Sequence, residues 1–380
     1  MKRNLLLLSV LWLATIPTVF GAVEVQRLPA GAMQPLAITD DTGTVHLVWL
    51  QGEPKACDVF YQRLPGGRTN GTAPIRVNSQ PGSAIGIGTI RGAQLAVGRH
   101  GRVHIAWNGS SKAEPKPAEG SPLLYARIDD FGRAFEPQRN LLGKTALLDG
   151  GASVAADRLG NVFVVWHAAP SADQTDETAR RVYLARSSDD GASFQPEKSI
   201  SLTNGVCGCC SLRAYADRTG RLLLLYRAAT APTDRHITLL SSSDQGLTFT
   251  QVLTDPWSTG MCPMSSAALV DGPRGVFASW ETKGQVQTAI IQPNLPERFA
   301  TASESSGDRG KHPALAVNAQ GEALSVWAEG TGWQKGGSVG WRLLDSKGKP
   351  MGENATRAGL PVWSFPAAFA RDDGQFIIVF

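Results

Sequence analysis

One phrase recurs seven times along this 380-residue chain: small apolar residues, a polar turn carrying Gly, then an apolar run ending on an aromatic. It reads "PLAITDDTGTVHLVW", "QLAVGRHGRVHIAW", "SVAADRLGNVFVVW", "LRAYADRTGRLLLLY", "AALVDGPRGVFASW", "ALAVNAQGEALSVW" and "AAFARDDGQFIIVF". The closing aromatics Trp49, Trp107, Trp166, Tyr226, Trp280, Trp327 and Phe380 lie 58, 59, 60, 54, 47 and 53 residues apart. A unit of this size made of strand-like runs and Gly/Asp turns cannot bury its own apolar face. Repeated radially, such units pack against one another as the blades of a β-propeller.

Each phrase reads as a hairpin. Its small first arm suits a crowded strand beside a central channel, and its nearly all-apolar second arm suits a strand covered on both faces. More polar runs between phrases, such as "RVYLARSSDDGASFQPEKSI", suit the outer strands. No window sustains a helical period, so an all-β chain is expected. The chain stops on its seventh hairpin, whereas "AVEVQRLP" near the start is a strand without a hairpin. That spare strand is expected to close the last blade and cover its edge. Seven blades are expected over residues 22–380 as one domain, with six as the alternative.

The first 21 residues read as an address. Lys2 and Arg3 precede an apolar run from Leu5 to Ile16, and Val19-Phe20-Gly21 supplies a cleavage point, the layout of a secretory signal. The run is short of the roughly 20 residues of a membrane span, and no later segment qualifies. An exported monomer, periplasmic or secreted, is expected. Removing Lys2 and Arg3 takes the formal charge from +4 to +2. The remaining charges are interspersed with no basic tract, which excludes a nucleic-acid partner.

Two turns between outer strands carry S-x-D-x-G-x-[ST]-F: Ser187, Asp189, Gly191 and Phe194, then Ser242, Asp244, Gly246 and Phe249. A weaker copy, "IDDFGRAF", spans Ile128 to Phe135. Asp accepts backbone N–H groups inside such a turn, Gly takes a positive φ, and the aromatic packs between sheets. These turns resemble the Asp-box (BNR) repeats of the sialidase superfamily, and the resemblance covers nearly the whole mature chain. It implies a sialidase-like propeller in which the Asp-box residues shape blades and do not catalyse. Sialidases of this kind clamp a carboxylate with three arginines and use a Tyr–Glu nucleophile with an Asp acid. Here Met33 and Gln34 stand where the first-blade arginine belongs, and no tyrosine follows Tyr226. Arg91, Arg213 and Arg309 are the arginines that a clamp would draw on. Sialosidase activity is not expected.

Sulfur is concentrated in two places. "NGVCGCC" holds Cys207, Cys209 and Cys210 ahead of the fourth hairpin, and "STGMCPM" holds Met261, Cys262 and Met264 ahead of the fifth. In a propeller these segments enter the inner strands of adjacent blades on one face, so the fold itself brings them together. "RGKHPALAV" places His312 at the matching position of the sixth hairpin, and Met33 holds it in the first. Cys57 lies in an outer strand, where a buried thiol is expected. Two readings of the cluster remain open. One is disulfides in an oxidising compartment, although Cys-Gly-Cys-Cys closes only small strained rings within itself. The other is a soft-metal site in which Cys207, Cys209, Cys210 and Cys262 bind copper, with Met261, Met264 and His312 as auxiliary donors. Cys-x-Cys-Cys departs from the ligand spacing of structural zinc sites and from that of iron–sulfur clusters. A catalytic thiol would need a neighbouring base, and none is adjacent in sequence.

His46 and His104 occupy the same position in successive second arms and are expected to be structural. The polar stretches Ser110 to Pro122 and Pro170 to Arg181 are expected as rim loops, and Trp333, Trp341 and Trp363 as inter-blade packing or a sugar platform. Three functions compete: copper handling, with a metal ion and another exported protein as partners; a glycan-acting hydrolase; and a disulfide-stapled interaction scaffold.

Overall fold

The computed structural model describes residues 22–68, 71–292 and 309–380; the leader expected over residues 1–21 lies outside them. Seven sheets, antiparallel but for one closing pair, follow one another around a ring. The first is β2 (Ala32–Thr39), β3 (Val45–Glu53), β4 (Ala56–Leu64) and β5 (Ile75–Arg76). The second is β6 (Gln94–Val97), β7 (Val103–Asn108), β8 (Leu123–Arg127) and β9 (Arg139–Asn140). The third runs β10 (Ser153–Ala156), β11 (Val162–Ala168), β12 (Arg181–Ser187) and β13 (Lys198–Ser199), and the fourth β14 (Arg213–Ala216), β15 (Leu222–Arg227), β16 (Ile237–Ser242) and β17 (Thr250–Asp255). Three strands of the fifth are described, β18 (Ala267–Gly272), β19 (Gly275–Thr282) and β20 (Gln285–Ile291). The sixth is β21 (Gly310–Val317), β22 (Ala323–Glu329), β23 (Gly337–Leu344) and β24 (Ala355–Leu360). The seventh pairs β25 (Ala367–Ala370) with β26 (Phe376–Val379), and β1 (Val23–Gln26) is its third strand.

That last pairing closes the ring. β1 runs parallel to β26 in the register Val23↔Phe376 to Gln26↔Val379. Leu28 N donates to Phe380 O at 3.0 Å and Phe376 N to Ala22 O at 2.9 Å. The backbone edge of β26 is thereby paired rather than open. All seven phrases form blades, so the six-blade alternative is overturned.

The hairpin turns of the first, third and fourth phrases work as their residues dictate. Asp40, Asp157 and Asp217 each accept, through Oδ1, from the N–H groups two and four residues ahead at 2.9–3.0 Å. Gly43, Gly160 and Gly220 take φ of 78°, 90° and 82°, which a Cβ would disfavour. The two S-x-D-x-G turns close on a shared pattern. Gly191 N donates to Ser187 Oγ at 2.9 Å and Ser193 N to Asp189 Oδ1 at 2.9 Å. Gly246 N donates to Ser242 Oγ at 2.8 Å and Thr248 N to Asp244 Oδ1 at 2.9 Å. Phe194 meets Tyr125 of the preceding blade edge-on, with centroids 4.9 Å apart, while Phe249 packs into the cluster around Phe163 and Leu184. These turns therefore join one blade to the last.

His46 and His104 repeat one arrangement: each is buried, stacks on a tyrosine of the neighbouring strand and hydrogen-bonds its hydroxyl, Tyr61 at 2.7 Å and Tyr125 at 2.8 Å. Trp341 is half-buried beside the sixth-blade core, and exposed Trp333 stands edge-on to Trp363 at 4.7 Å. Among the described residues no helix is long and apolar enough to cross a membrane. The seven inner strands line a central cavity of about 1340 Å³.

Candidate metal centre

The segments that enter inner strands meet in a circle at one face. Ser211 N donates to Ser265 O at 3.1 Å, His312 N to Ser265 Oγ at 3.3 Å, and Gln34 N to Ser364 Oγ at 3.2 Å. Six non-glycine residues of this circle have positive φ: Gln34, Thr89, Leu147, Met264, His312 and Trp363, at 49–61°. Gln34 and His312 each precede a proline inside a β-bulge, where a residue without an N–H costs the sheet no hydrogen bond. Backbone held this way concentrates where a fold supports a site.

The Cys207–Cys210 turn hangs on its neighbours. Cys207 N donates to Arg227 O at 3.0 Å, and Cys210 N reaches back to Cys207 O at 3.4 Å. From the preceding blade Glu177 accepts from Gly208 N at 2.6 Å, while its other oxygen accepts from Arg235 at 2.9 Å. His167, also buried, donates from Nε2 to Cys210 O at 2.8 Å, which leaves Nδ1 as the bare nitrogen. The turn therefore aims its sulfurs inward. Cys207 Sγ lies 3.4 Å from Cys209 Sγ and 3.6 Å from Cys210 Sγ. All three sulfurs fall within 4.8 Å of one another.

The four clustered cysteines divide into two pairs. Cys209 forms a disulfide with Cys262, joining the fourth and fifth blades across 6.6 Å between Cα atoms. Cys207 and Cys210 are free and buried. Their spacing is Cys-x₂-Cys, hidden in the sequence because Cys209 sits between them. Met261 is exposed at 53 %, and Met264 is half-buried beside the disulfide. His312 is buried, with Nδ1 3.3 Å from Ser266 Oγ and its ring stacked on Phe365. Cys57 is buried in β4, and burial pushes its thiol up to about 12.

The free pair lies beside two ion pairs, Arg227–Glu281 and Arg235–Glu177, each at 2.9 Å. Burial and the Glu281 charge oppose ionisation of Cys210, but the hydrogen bond from Cys207, the Arg227 guanidinium and a backbone N–H of Ser265 outweigh them and bring it below the usual thiol range. Cys207, bonded to Cys210 and buried, is pushed up. One proton is thus held on Cys207 and the negative charge on Cys210, the condition that makes a sulfur a ligand or nucleophile. Arg227 is itself buried and paired with buried Glu281 at 2.9 Å. None of His167, Glu177, Arg227 and Glu281 carries a motif. His167 and Glu177 come from the preceding blade and Glu281 from the following one, while Arg227 ends the second strand of the cysteine turn's own blade.

His167 sets a pH dependence. Burial, with Arg180 nearby, lowers it from 6.5 to about 4, against smaller raising effects of the Cys210 carbonyl and Asp149. The unfolded chain takes up a proton near 6.5 and the folded chain only near 4, so stability is complete above 6.5 and falls as pH drops through that window. The full loss is about 3 kcal/mol. Urea unfolding at pH 7 and 4.5 is expected to show it, and His167→Gln, which can still donate to Cys210 O, should flatten the dependence. An unchanged pH slope in that variant would contradict the assignment.

No family model matches this sequence, and no curated protein matched it. Among solved structures, it is similar to the GH93 α-L-arabinofuranosidase of Fusarium graminearum in complex with arabinobiose. The two share 12% identity with a TM-score of 0.56 over 85% of this chain and 97% of that one. A leech intramolecular trans-sialidase is 11% identical with a TM-score of 0.51, covering 87% of this chain and 79% of its own. A protein of unknown function from Dyadobacter fermentans is 15% identical with a TM-score of 0.53, covering 82% and 94%. At these identities the likeness is one of fold: a sialidase-like propeller. Of the arginines available for a carboxylate clamp, Arg91 pairs with Asp149 and buried Arg213 donates to Gln94 at 2.5 Å. Gln34 is buried and its amide donates to the carbonyls of Gly86 and Trp363.

Proposed function

We propose that this chain is an exported propeller that holds Cu(I) on Cys207 and Cys210 for copper handling. The observation that carries the reading is a pair of free, buried thiols 3.6 Å apart at Cys-x₂-Cys spacing beside the Arg227–Glu281 ion pair. Thiolates are soft donors that select Cu(I). Zinc in a structural site takes four ligands, and the compact donor group here is three sulfurs, one of them already in a disulfide. Met264, Met261 and His312 remain auxiliary donors in this proposal. The leader-like start and the Cys209–Cys262 bridge both support an oxidising, exported setting. The bridge also favours a stapling role for that half of the cluster, so staple and metal site coexist. The two S-x-D-x-G turns are read as Asp-box repeats with a structural role only.

The test is anaerobic titration of metal-free mature protein with Cu(I) against a chromogenic chelator. About one Cu(I) per chain is expected, lost in Cys207→Ser/Cys210→Ser and retained in Cys209→Ser/Cys262→Ser. A wild type that leaves all copper on the chelator, or a first double variant that binds like wild type, would end the copper reading.

A further inference from the structure

Three facts about the cluster go beyond metal binding. A buried dithiol and a disulfide share one turn. The sulfur of Cys207 lies 3.4 Å from that of bridged Cys209 and 3.6 Å from that of Cys210, so it stands next to both. And the two pairs differ in access: Cys207 and Cys210 are buried, Cys209 is half-buried and Cys262 is exposed. We infer that the four cysteines form a thiol–disulfide relay, in which the buried Cys207/Cys210 dithiol passes two electrons through the Cys209–Cys262 bridge to a soluble disulfide.

The steps balance. Cys207 passes its proton to Cys210, 3.6 Å away, and attacks Cys209 Sγ; the Cys207–Cys209 bond forms, the Cys209–Cys262 bond breaks, and Cys262 leaves as thiolate and takes up a proton. The Cys-x-Cys ring so formed is small and strained, so it is a transient. Cys210 then loses its proton and attacks Cys207 Sγ, forming Cys207–Cys210 and releasing Cys209, which takes up a proton. The result is an isomer with the disulfide inside and two thiols at the surface, with no net change in electrons. Exposed Cys262 next attacks a soluble disulfide, and one of its sulfurs leaves as thiol. Cys209 attacks Cys262 in turn, re-forms the original bridge and expels the second thiol. Overall, the Cys207/Cys210 dithiol becomes a disulfide and the soluble disulfide becomes two thiols, with two electrons and two protons transferred. Attack through a mixed disulfide is the ordinary route of such exchange.

The protein favours this path by how it holds the turn. Glu177 fixes Gly208 N and His167 fixes the Cys210 carbonyl, so the loop cannot swing its three sulfurs apart. The Cys262 side is free to leave, because its segment is exposed.

The relay is tested without metal, so failure of copper binding leaves it standing and its own failure leaves copper binding standing. Metal-free, unreduced wild type is incubated with iodoacetamide under native conditions, then digested and mapped for alkylated and bridged cysteines. Alkylation traps whichever thiols reach the surface. The expected map gains chains alkylated together at Cys209 and Cys262 with Cys207 bridged to Cys210. Cys210→Ser lacks the resolving thiol and should give alkylation at Cys262 with Cys207–Cys209 bridged. Cys207→Ser lacks the first nucleophile, and its Cys262 alkylation should be about tenfold slower or more. A wild type whose Cys209–Cys262 bridge stays intact throughout overturns the relay, and so does Cys207→Ser labelled at Cys262 as fast as wild type. The wild-type map decides the question even where a variant folds poorly.

Discussion

Arg227→Met is expected to lower the unfolding free energy by about 3–5 kcal/mol at pH 7, because it leaves the buried Glu281 carboxylate without the guanidinium it is paired with. Arg227 and Glu281 are 3 % and 2 % exposed and 2.9 Å apart. The guanidinium also donates to the Arg235 carbonyl at 2.8 Å and to the Glu281 carbonyl, which ties the fourth blade to the fifth under the cysteine turn. Restoring charge balance should recover much of the loss, since a buried pair replaced as a unit is often near neutral. Arg227→Met/Glu281→Gln is therefore expected to be more stable than Arg227→Met alone. Burial already raises Glu281 above its ordinary 4.5, with Arg227 as the main opposing influence. Without Arg227 it rises further, so the folded state gains a proton before the unfolded state does and the deficit shrinks toward acid pH. Urea unfolding of both variants at pH 7 and 5 checks this; a double variant no better than the single one would show that the charge pair is not what holds the two blades.

Cys262→Ser is expected to cost about 4 kcal/mol, the loop-closure entropy of a crosslink between residues 53 apart in sequence. Local bridges among Cys207, Cys209 and Cys210 close loops too short to replace it. The variant should match wild type treated with a reductant, and the urea midpoint of each should fall below that of oxidised wild type. An unchanged midpoint would mean that the bridge joins two segments already held by Ser211 N to Ser265 O and by the Arg227–Glu281 pair.

The ring itself was legible in the sequence. A two-residue side-chain period and D-x-x-G turns are local properties, and seven copies of them admit few arrangements other than blades. Even the closure by β1 followed from counting, since a seventh hairpin without outer strands needs a partner for its edge. The positions of the sulfur loops also followed, because a loop that precedes an inner strand must cross the same face in every blade. How four cysteines divide into one disulfide and two free thiols did not. Pairing depends on a few ångströms between side chains, and the alternation of Cys207, Cys209 and Cys210 hides which sulfur turns toward the next blade. His312 and Met261 hold the right sequence positions, yet the described contacts of His312 are with Ser266 and Phe365, and Met261 faces solvent. Glu177, His167, Arg227 and Glu281 are separated from the two free cysteines by up to 74 residues, and the packing of the third, fourth and fifth blades brings them there. The sequence by itself determined the repeated blade unit, its closing strand and the face on which sulfur gathers, because these rest on periodicity and connectivity, whereas the choice of seven blades over six came from the sheets themselves. Tertiary structure alone decided which thiols are free and which charges surround them, because those depend on where non-local side chains come to rest in a low-dielectric interior.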